Sequence, residues 1–327
     1  MAEIIRWGIL GTGNIAKRFA KGLAALPDAR LAAVGSRTQA AADAFGDLFH
    51  APRRHVSYAD LAHDPDVDVV YIATPHHLHK ENSLLCLNAG KAVLCEKPFT
   101  INAVEAAEVI RVARARRIFV MEAMWTRFLP LMVRLREMLA AGVIGEVRML
   151  MADFGFRTDV DPRSRLFDPH MGGGGLLDVG VYPVSLASIV FGPPARITGM
   201  AHLGETGVDE QSAAILGYAG GQLALVSSAV RTSTPHEAHL FGTEGRIHIH
   251  RPWWMPRAMT LFRNEGDGEV IEVPFEGNGF NYEAAEVARC LRAGRLESET
   301  MPLDETLSIM QTMDAMRAQW GLKYPME

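Results

Sequence analysis

The 327 residues carry a formal net charge of −5, with 48% apolar and 22% charged residues. That balance argues against a nucleic-acid partner bound through a basic surface and against a disordered chain, and the length suggests two domains. Cys86, Cys95 and Cys290 are scattered and form no CxxC pair, which excludes a disulfide framework or zinc ribbon and points to a reducing cytoplasm.

In chain order, Ile4 to Leu10 has the pattern of a strand, so no leader peptide is expected, and no apolar run is expected to span a bilayer. Asn14 to Ala25 follows as a helix, Leu31 to Ser36 as a strand and Gln39 to Leu48 as a helix. Asp68 to Ala73 is strand-like, Leu78 to Asn88 helical, Ala92 to Cys95 strand-like, and a helix from Ala103 precedes the short strand Ile118 to Met121. This alternation predicts a parallel, doubly wound sheet with right-handed crossovers. The pattern changes after Trp125. A helix over Leu131 to Ala140 is followed by longer strands, Glu146 to Asp153, Arg196 to His202, Gln211 to Tyr218 and Gln222 to Val230. Ala219-Gly220-Gly221 marks a turn between the last two. Thr243-Glu244-Gly245 is another turn, before Arg246 to His250, and helices near Glu283 to Leu291 and Glu305 to Gln319 close the chain. The expected architecture is an α/β Rossmann domain over 1–124 and, over 125–327, an α+β domain with a large, mostly antiparallel open sheet. Trp253-Trp254-Met255, between Pro252 and Pro256, has the pattern of a rigid loop packed on the sheet edge.

Three stretches carry chemistry. Gly11-Thr12-Gly13-Asn14-Ile15-Ala16 lies at a strand-to-helix turn: Gly11 permits the turn, Gly13 lets the backbone approach a pyrophosphate, and Ala16 packs helix on strand. The helix N-terminus then faces the phosphates. At the end of the second strand, Gly35-Ser36-Arg37-Thr38 stands where an NAD site carries an acid. The Arg37 fork suits a 2′-phosphate, with Ser36 and Thr38 adding hydroxyls, so NADP is expected, with NAD as the alternative. The plain reading of Arg37 is a solvated residue at a helix start. Thr74-Pro75-His76-His77-Leu78-His79 follows the third clear strand, where the nicotinamide ribose belongs. Its histidines lack an acidic or cysteine partner at metal-site spacing, so no metal is expected. His79 is expected at a helix start, facing the cleft, and His77 on the surface.

Glu96-Lys97-Pro98 ends the buried run Ala92 to Cys95. An ammonium there is costly unless paired or working, and this end of the strands is where ligands bind in open α/β sheets. Gly172 to Gly175 precedes Leu176-Leu177-Asp178-Val179-Gly180-Val181-Tyr182. The glycines are expected to admit a flat ligand, and Asp178 and Tyr182, at i and i+4, to share a helix face. Dipole satisfaction for Asp178 and ordinary burial for Tyr182 are the plain alternatives.

The glycine turn, Thr74-Pro75…His79, Glu96-Lys97-Pro98 and the glycine run with Asp178 resemble the glucose–fructose oxidoreductase/inositol dehydrogenase family, Gfo/Idh/MocA, over essentially the whole chain. Many members have histidine where this chain has Tyr182. Tyr182 and Met121 to Phe128 resemble the branch of dimeric dihydrodiol dehydrogenases and NADP-dependent D-xylose 1-dehydrogenases. The resemblance implies that Tyr182 passes a proton to or from the reacting oxygen, that Lys97 lowers its pKa, and that Asp178 orients the lysine or the substrate. It also implies a cis bond before Pro98. Cofactor-binding residues are then Gly11, Thr12, Gly13, Asn14, Ile15, Ser36, Arg37, Thr74, Pro75, His76, His79, Glu96 and Lys97. Trp125, Arg127, Phe156 and Arg165 are the candidates for substrate binding, with core packing as the equal alternative for the first three and a solvated loop position as the favoured plain reading of Arg165.

The expected reaction is hydride transfer between NADP and a carbohydrate-like small molecule, a sugar or polyol. A trans-dihydrodiol is the rival substrate, for which Trp125, Phe128, Phe154 and Phe156 would supply the walls. A non-catalytic NADP(H) sensor is the alternative of another class, disfavoured by the Lys97, Asp178 and Tyr182 set. The strand 222–230 is apolar on both sides, Leu223 and Leu225 on one and Ala224 and Val226 on the other, so one face needs a cover. A homodimer joined through this sheet is the expectation, with neither nucleic acid nor membrane as partner.

Overall fold

The computed structural model describes residues 3–263 and 266–327. Its first elements are β1 (Ile5–Leu10), α1 (Asn14–Leu23), β2 (Ala29–Gly35), α2 (Gln39–Phe49), β3 (Arg53–His55), α3 (Tyr58–Ala62), β4 (Val69–Ile72), α4 (His79–Asn88), β5 (Ala92–Glu96), α5 (Ala103–Arg116) and β6 (Val120–Ala123). The six strands form one parallel sheet in the order β3-β2-β1-β4-β5-β6. Strand order reverses beside β1, where this fold binds nucleotides. Trp7, Ile9, Leu10, Val69 to Ile72 and Val93 to Cys95 are completely buried, as strands covered on both faces must be. Local chemistry sets the helix ends: Thr38 and Asn102 accept from Ala41 N and Glu105 N at the starts of α2 and α5.

The later elements are α6 (Pro130–Ala140), β7 (Val147–Gly155), α7 (Val181–Phe191), β8 (Arg196–Leu203), β9 (Asp209–Gly217), β10 (Leu223–Ala229), β11 (Ala238–Gly242), β12 (Gly245–Ile249), β13 (Ala258–Arg263), β14 (Glu269–Glu272), α8 (Phe280–Arg292) and α9 (Leu303–Trp320). The second sheet has eight strands in the order β14-β13-β12-β11-β7-β10-β9-β8. All its neighbours are antiparallel except β7 and β10. α7 packs on β7 and β10. Ala224 and Val226 point into that core, while Leu223 on the opposite face is 37% exposed.

Elements β3, α3, β11, β13 and β14 were not legible as periodic patterns. β3, for one, is Arg53-Arg54-His55, an edge strand with no apolar alternation. The segment Pro169–Phe191 is, by length and composition, apolar enough to cross a bilayer, contrary to the expectation of no such run. Yet 78% of its most apolar window is buried within the protein, which makes it a core element.

The chain divides into two compact units, one of Met1–Phe128 with Glu276–Thr306, the other of Leu129–Phe275 with Leu307–Glu327. Two contiguous domains, 1–124 and 125–327, differ from this at residues 125–128 and, more extensively, in the segment 276–306. It returns to the first unit because α8 packs on α1. There Asn278 Nδ2 donates to Arg18 O at 2.7 Å, and a Cβ on Gly22 would lie 2.9 Å from Phe280 Cβ.

Candidate active site

The first unit provides a dinucleotide cradle. Gly11 has φ +104°, and a Cβ there would lie 2.8 Å from Ala73 O at the end of β4. Only glycine accepts both constraints. A Cβ on Gly13 would meet nothing within 4 Å, so the space above the turn is open. Gly13 begins α1 without a side-chain cap, and no acid stands in the first turn, leaving the first amides of Asn14 and Ile15 and the positive helix end for an anion. Thr12 Oγ1 lies 3.4 Å from Ser36 Oγ, and Arg37 is exposed at the end of β2. These residues fit a dinucleotide with a 2′-phosphate.

The Glu96-Lys97-Pro98 turn is held by buried groups on several sides. Glu96, at the end of β5, accepts from the Tyr71 hydroxyl and from Lys97 N. The Lys97–Pro98 bond is cis, as the resemblance implies. Phe99 N donates to Glu122 Oε1 at 3.2 Å, and burial pushes the Glu122 carboxyl up to about 7. The His79 ring is fully buried between Pro98 O at 2.8 Å and Thr74 O at 2.9 Å. Burial lowers its pKa to about 4, against the pull of the two carbonyls, so the neutral ring donates to one of them. His79 therefore ties the end of β4 to the lysine turn and does not present a nitrogen to a ligand, a correction to its expected placement facing the cleft. Thr74 is also braced, its Oγ1 accepting from Asn82 Nδ2 at 3.1 Å. Pro75 and His76 lie at the turn that starts α4, with His76 8% exposed and its ring 5.7 Å from that of His79.

Two of the substrate candidates belong to this unit. Trp125 stacks on Phe280 at 4.8 Å, with 9° between the planes. Arg127 is 2% exposed and bonds Glu305 Oε1 at 2.7 Å and Thr300 O at 3.3 Å. It is thereby a buried clamp on the returning segment, which corrects its expectation as a pocket residue. Phe280 was not singled out in the sequence, because its partner lies over 150 positions upstream.

The second unit holds Asp178 and Tyr182, and its local structure departs from expectation in two ways. Leu176–Gly180 is a π-helical turn leading into α7, so α-helical spacing does not run straight from Asp178 to Tyr182; such turns recur at functional sites. The glycine run, moreover, packs against its own unit. A Cβ on Gly173 would lie 2.7 Å from Leu166 O, and one on Gly174, at φ +109°, would fall into the Asp209 carboxylate. Asp209 Oδ2 accepts from Leu176 N at 2.7 Å, and Tyr324 OH donates to Gly173 O at 2.6 Å. Burial raises the Asp209 carboxyl to about 7.

Asp178, 7% exposed, pairs with Arg165 at 3.0 Å, while half of the Arg165 side chain stays in solvent. Tyr182 lies 5.3 Å from Phe154 between ring centroids, and Phe154 stacks on Trp254 at 3.4 Å and 8°. His236 stands edge-on to Trp254 at 4.7 Å. Phe156 is half-buried, its amide donating to Ala229 O at 3.0 Å. The aromatic wall beside Tyr182 is thus Phe154 and Trp254. The Trp-Trp pair between prolines was the available signal; Trp253 is the packing residue, with Nε1 on Asp153 O at 2.6 Å, and Trp254 the wall.

Two family models match the chain: the oxidoreductase family with an NAD-binding Rossmann fold (GFO_IDH_MocA) over residues 5–124, and the GFO/IDH/MocA C-terminal domain over 132–248. The chain is 38% identical to trans-1,2-dihydrobenzene-1,2-diol dehydrogenase of Mus musculus, with 99% of each chain covered. It is 33% identical to D-xylose 1-dehydrogenase (NADP(+)) of Hypocrea jecorina, covering 98% of this chain and 93% of that one. A 3-ketoreductase from Actinomadura kijaniata, solved in complex with NADP and TDP-benzene, matches with a TM-score of 0.87 at 27% identity, over 97% of this chain and 98% of that one.

Proposed function

The chain belongs to the GFO/IDH/MocA oxidoreductase family, and from that premise we propose a substrate class and a division of labour among its residues. It is a dehydrogenase of CH–OH groups that uses NADP. The substrate is a small ring bearing hydroxyls, a pyranose or related polyol. One observation carries this reading: Tyr182 stands beside the flat Phe154–Trp254 wall and one turn from the Asp178–Arg165 pair. A ring with an apolar C–H face and a polar edge suits a stacked wall flanked by charged hydrogen-bonding groups.

Bound NADP supplies or accepts the hydride. Gly11 to Ile15 bind the pyrophosphate, and Ser36 and Arg37 the 2′-phosphate. Tyr182 moves the proton of the reacting oxygen, and Lys97, aimed by Glu96, His79 and Glu122, supplies the positive charge that draws the tyrosine pKa toward neutrality. Asp178 orients substrate hydroxyls, with Arg165 holding its carboxylate.

A second reading, a trans-dihydrodiol substrate, is favoured by the same wall, since a planar hydrocarbon ring stacks on it with larger apolar contact. Turnover with NADP of aldopyranoses against cyclic trans-diols tests the two; higher kcat/KM for the diols selects the second. Tyr182→Phe is expected to lower kcat by about 10²–10⁴-fold with NADPH affinity unchanged. Lys97→Ala is expected to move the pH–rate profile upward. Wild-type turnover in Tyr182→Phe overturns the proton role.

The open face of the second sheet exposes Met200 at 82%, Ile215 at 47%, Met151 at 41% and Leu223 at 37%, which supports a homodimer through this face, to be checked by solution mass. All three cysteines are free and buried, in keeping with a cytoplasmic setting.

A further inference from the structure

On the open face of the eight-stranded sheet, Glu237, His239 and His248 offer three donor atoms that lie within 4.8 Å of one another. The strand period and the register produce the cluster. Glu237 directly precedes β11 and is two residues from His239, so both side chains project to one face. His239 is paired with His248 across the antiparallel β11–β12 ladder, which brings the two rings into parallel stacking at 4.3 Å and 8°. The Glu237 carboxylate oxygen then lies 3.6 Å from His239 Nε2 and 3.4 Å from His248 Nε2.

We propose that Glu237, His239 and His248 form a binding site for a divalent transition cation of the zinc class. With metal–ligand bonds of about 2.0–2.2 Å, the edge of a tetrahedral zinc site is about 3.3–3.6 Å. Two of the three donor separations already match that edge. The donor set, two imidazoles and one carboxylate, is one zinc takes with a fourth, open position for water. His248 Nε2 is buried and makes no hydrogen bond, so the nitrogen nearest the carboxylate lacks the partner a buried polar atom normally has. The third histidine of the patch, His250, is engaged by Thr260 Oγ1 at 2.8 Å and stands outside the set. Arg246, the nearest cation in sequence, lies over the Phe262 ring at 3.5 Å.

The test is equilibrium dialysis of the chelator-stripped full chain against zinc chloride, repeated for His239→Ala, His248→Asn and Glu237→Gln. His170→Ala, on a histidine outside the cluster, is the control. Retained NADPH binding and an unchanged circular dichroism spectrum establish that each variant is folded. The expected result is one zinc per chain, with affinity lowered more than about 100-fold by His239→Ala or His248→Asn, beyond the loss typical of a mere supporting partner, and unchanged by His170→Ala. Cobalt(II) should give the visible absorption of a tetrahedral site, lost in the same variants. No bound zinc, or equal uptake by folded His239→Ala and wild type, overturns the proposal.

Discussion

Two glycine-rich turns, one in each unit, look alike in sequence and do opposite work. Gly11 to Gly13 bends the chain tightly against Ala73 and then leaves open space above Gly13 and an uncapped helix start. Gly172 to Gly175 is closed: its backbone is pressed on Leu166 and Asp209, and its helix start is taken by the Asp209 carboxylate. Glycine permits close approach in both places. The first leaves room that a ligand can take, and in the second the protein itself fills it.

The sharpest break of this comparison is Gly174→Ala. Positive φ and the clash with Asp209 together should cost about 3 kcal/mol or more of stability, read as a urea or thermal midpoint. Gly13→Ala should leave that midpoint within about 0.5 kcal/mol, because its Cβ enters open space. Its NADPH affinity should nonetheless fall by at least about tenfold, since the methyl occupies the room the pyrophosphate needs. A stability loss for Gly13→Ala equal to that of Gly174→Ala would erase the distinction. At the same cradle, Arg37→Asp should weaken NADPH by about 10–100-fold while leaving NADH little changed, because the lost pairing is with the 2′-phosphate alone. Equal loss for both cofactors would deny Arg37 that role.

A pH-dependent effect concerns the carboxylate that fills the second turn. The Asp209 pKa is raised by burial to about 7 from 3.8, so in this window the unfolded chain has released a proton that the folded chain keeps. Stability supplied by this group is then fully present below about pH 4 and is lost as pH rises toward 7, by up to about 1.4 kcal/mol per pH unit. Asp209→Asn keeps an acceptor for Leu176 N and removes the proton. Its unfolding midpoint should fall less steeply than wild type between pH 4 and 7; parallel curves would show that Asp209 is ionised in the fold. His79 acts with the opposite sign, its lowered pKa costing stability as pH falls from 6.5 toward about 4. The variant is therefore compared with wild type at each pH.

Sequence by itself determined the features that are local. Strand, glycine turn and helix start are contiguous around Gly11 to Ala16, and the buried strand ending in Glu96-Lys97-Pro98 spans only a few residues. Backbone sterics, helix dipoles and the cost of a strand-end ammonium act over that range, so the Rossmann half and its cofactor end were legible. The tertiary structure decided what depends on distant partners. Phe154 and Trp254 meet across 100 positions of sequence. Arg127 turned out to be a buried clamp because residues 300 and 305 return to it. His79 turned inward because Pro98 O and Thr74 O both reach its ring. The Glu237, His239 and His248 cluster depends on strand register: a slip of one residue would send His248 to the other face. Periodicity says which residues can face inward, while only the pairing of strands and helices says what they then touch.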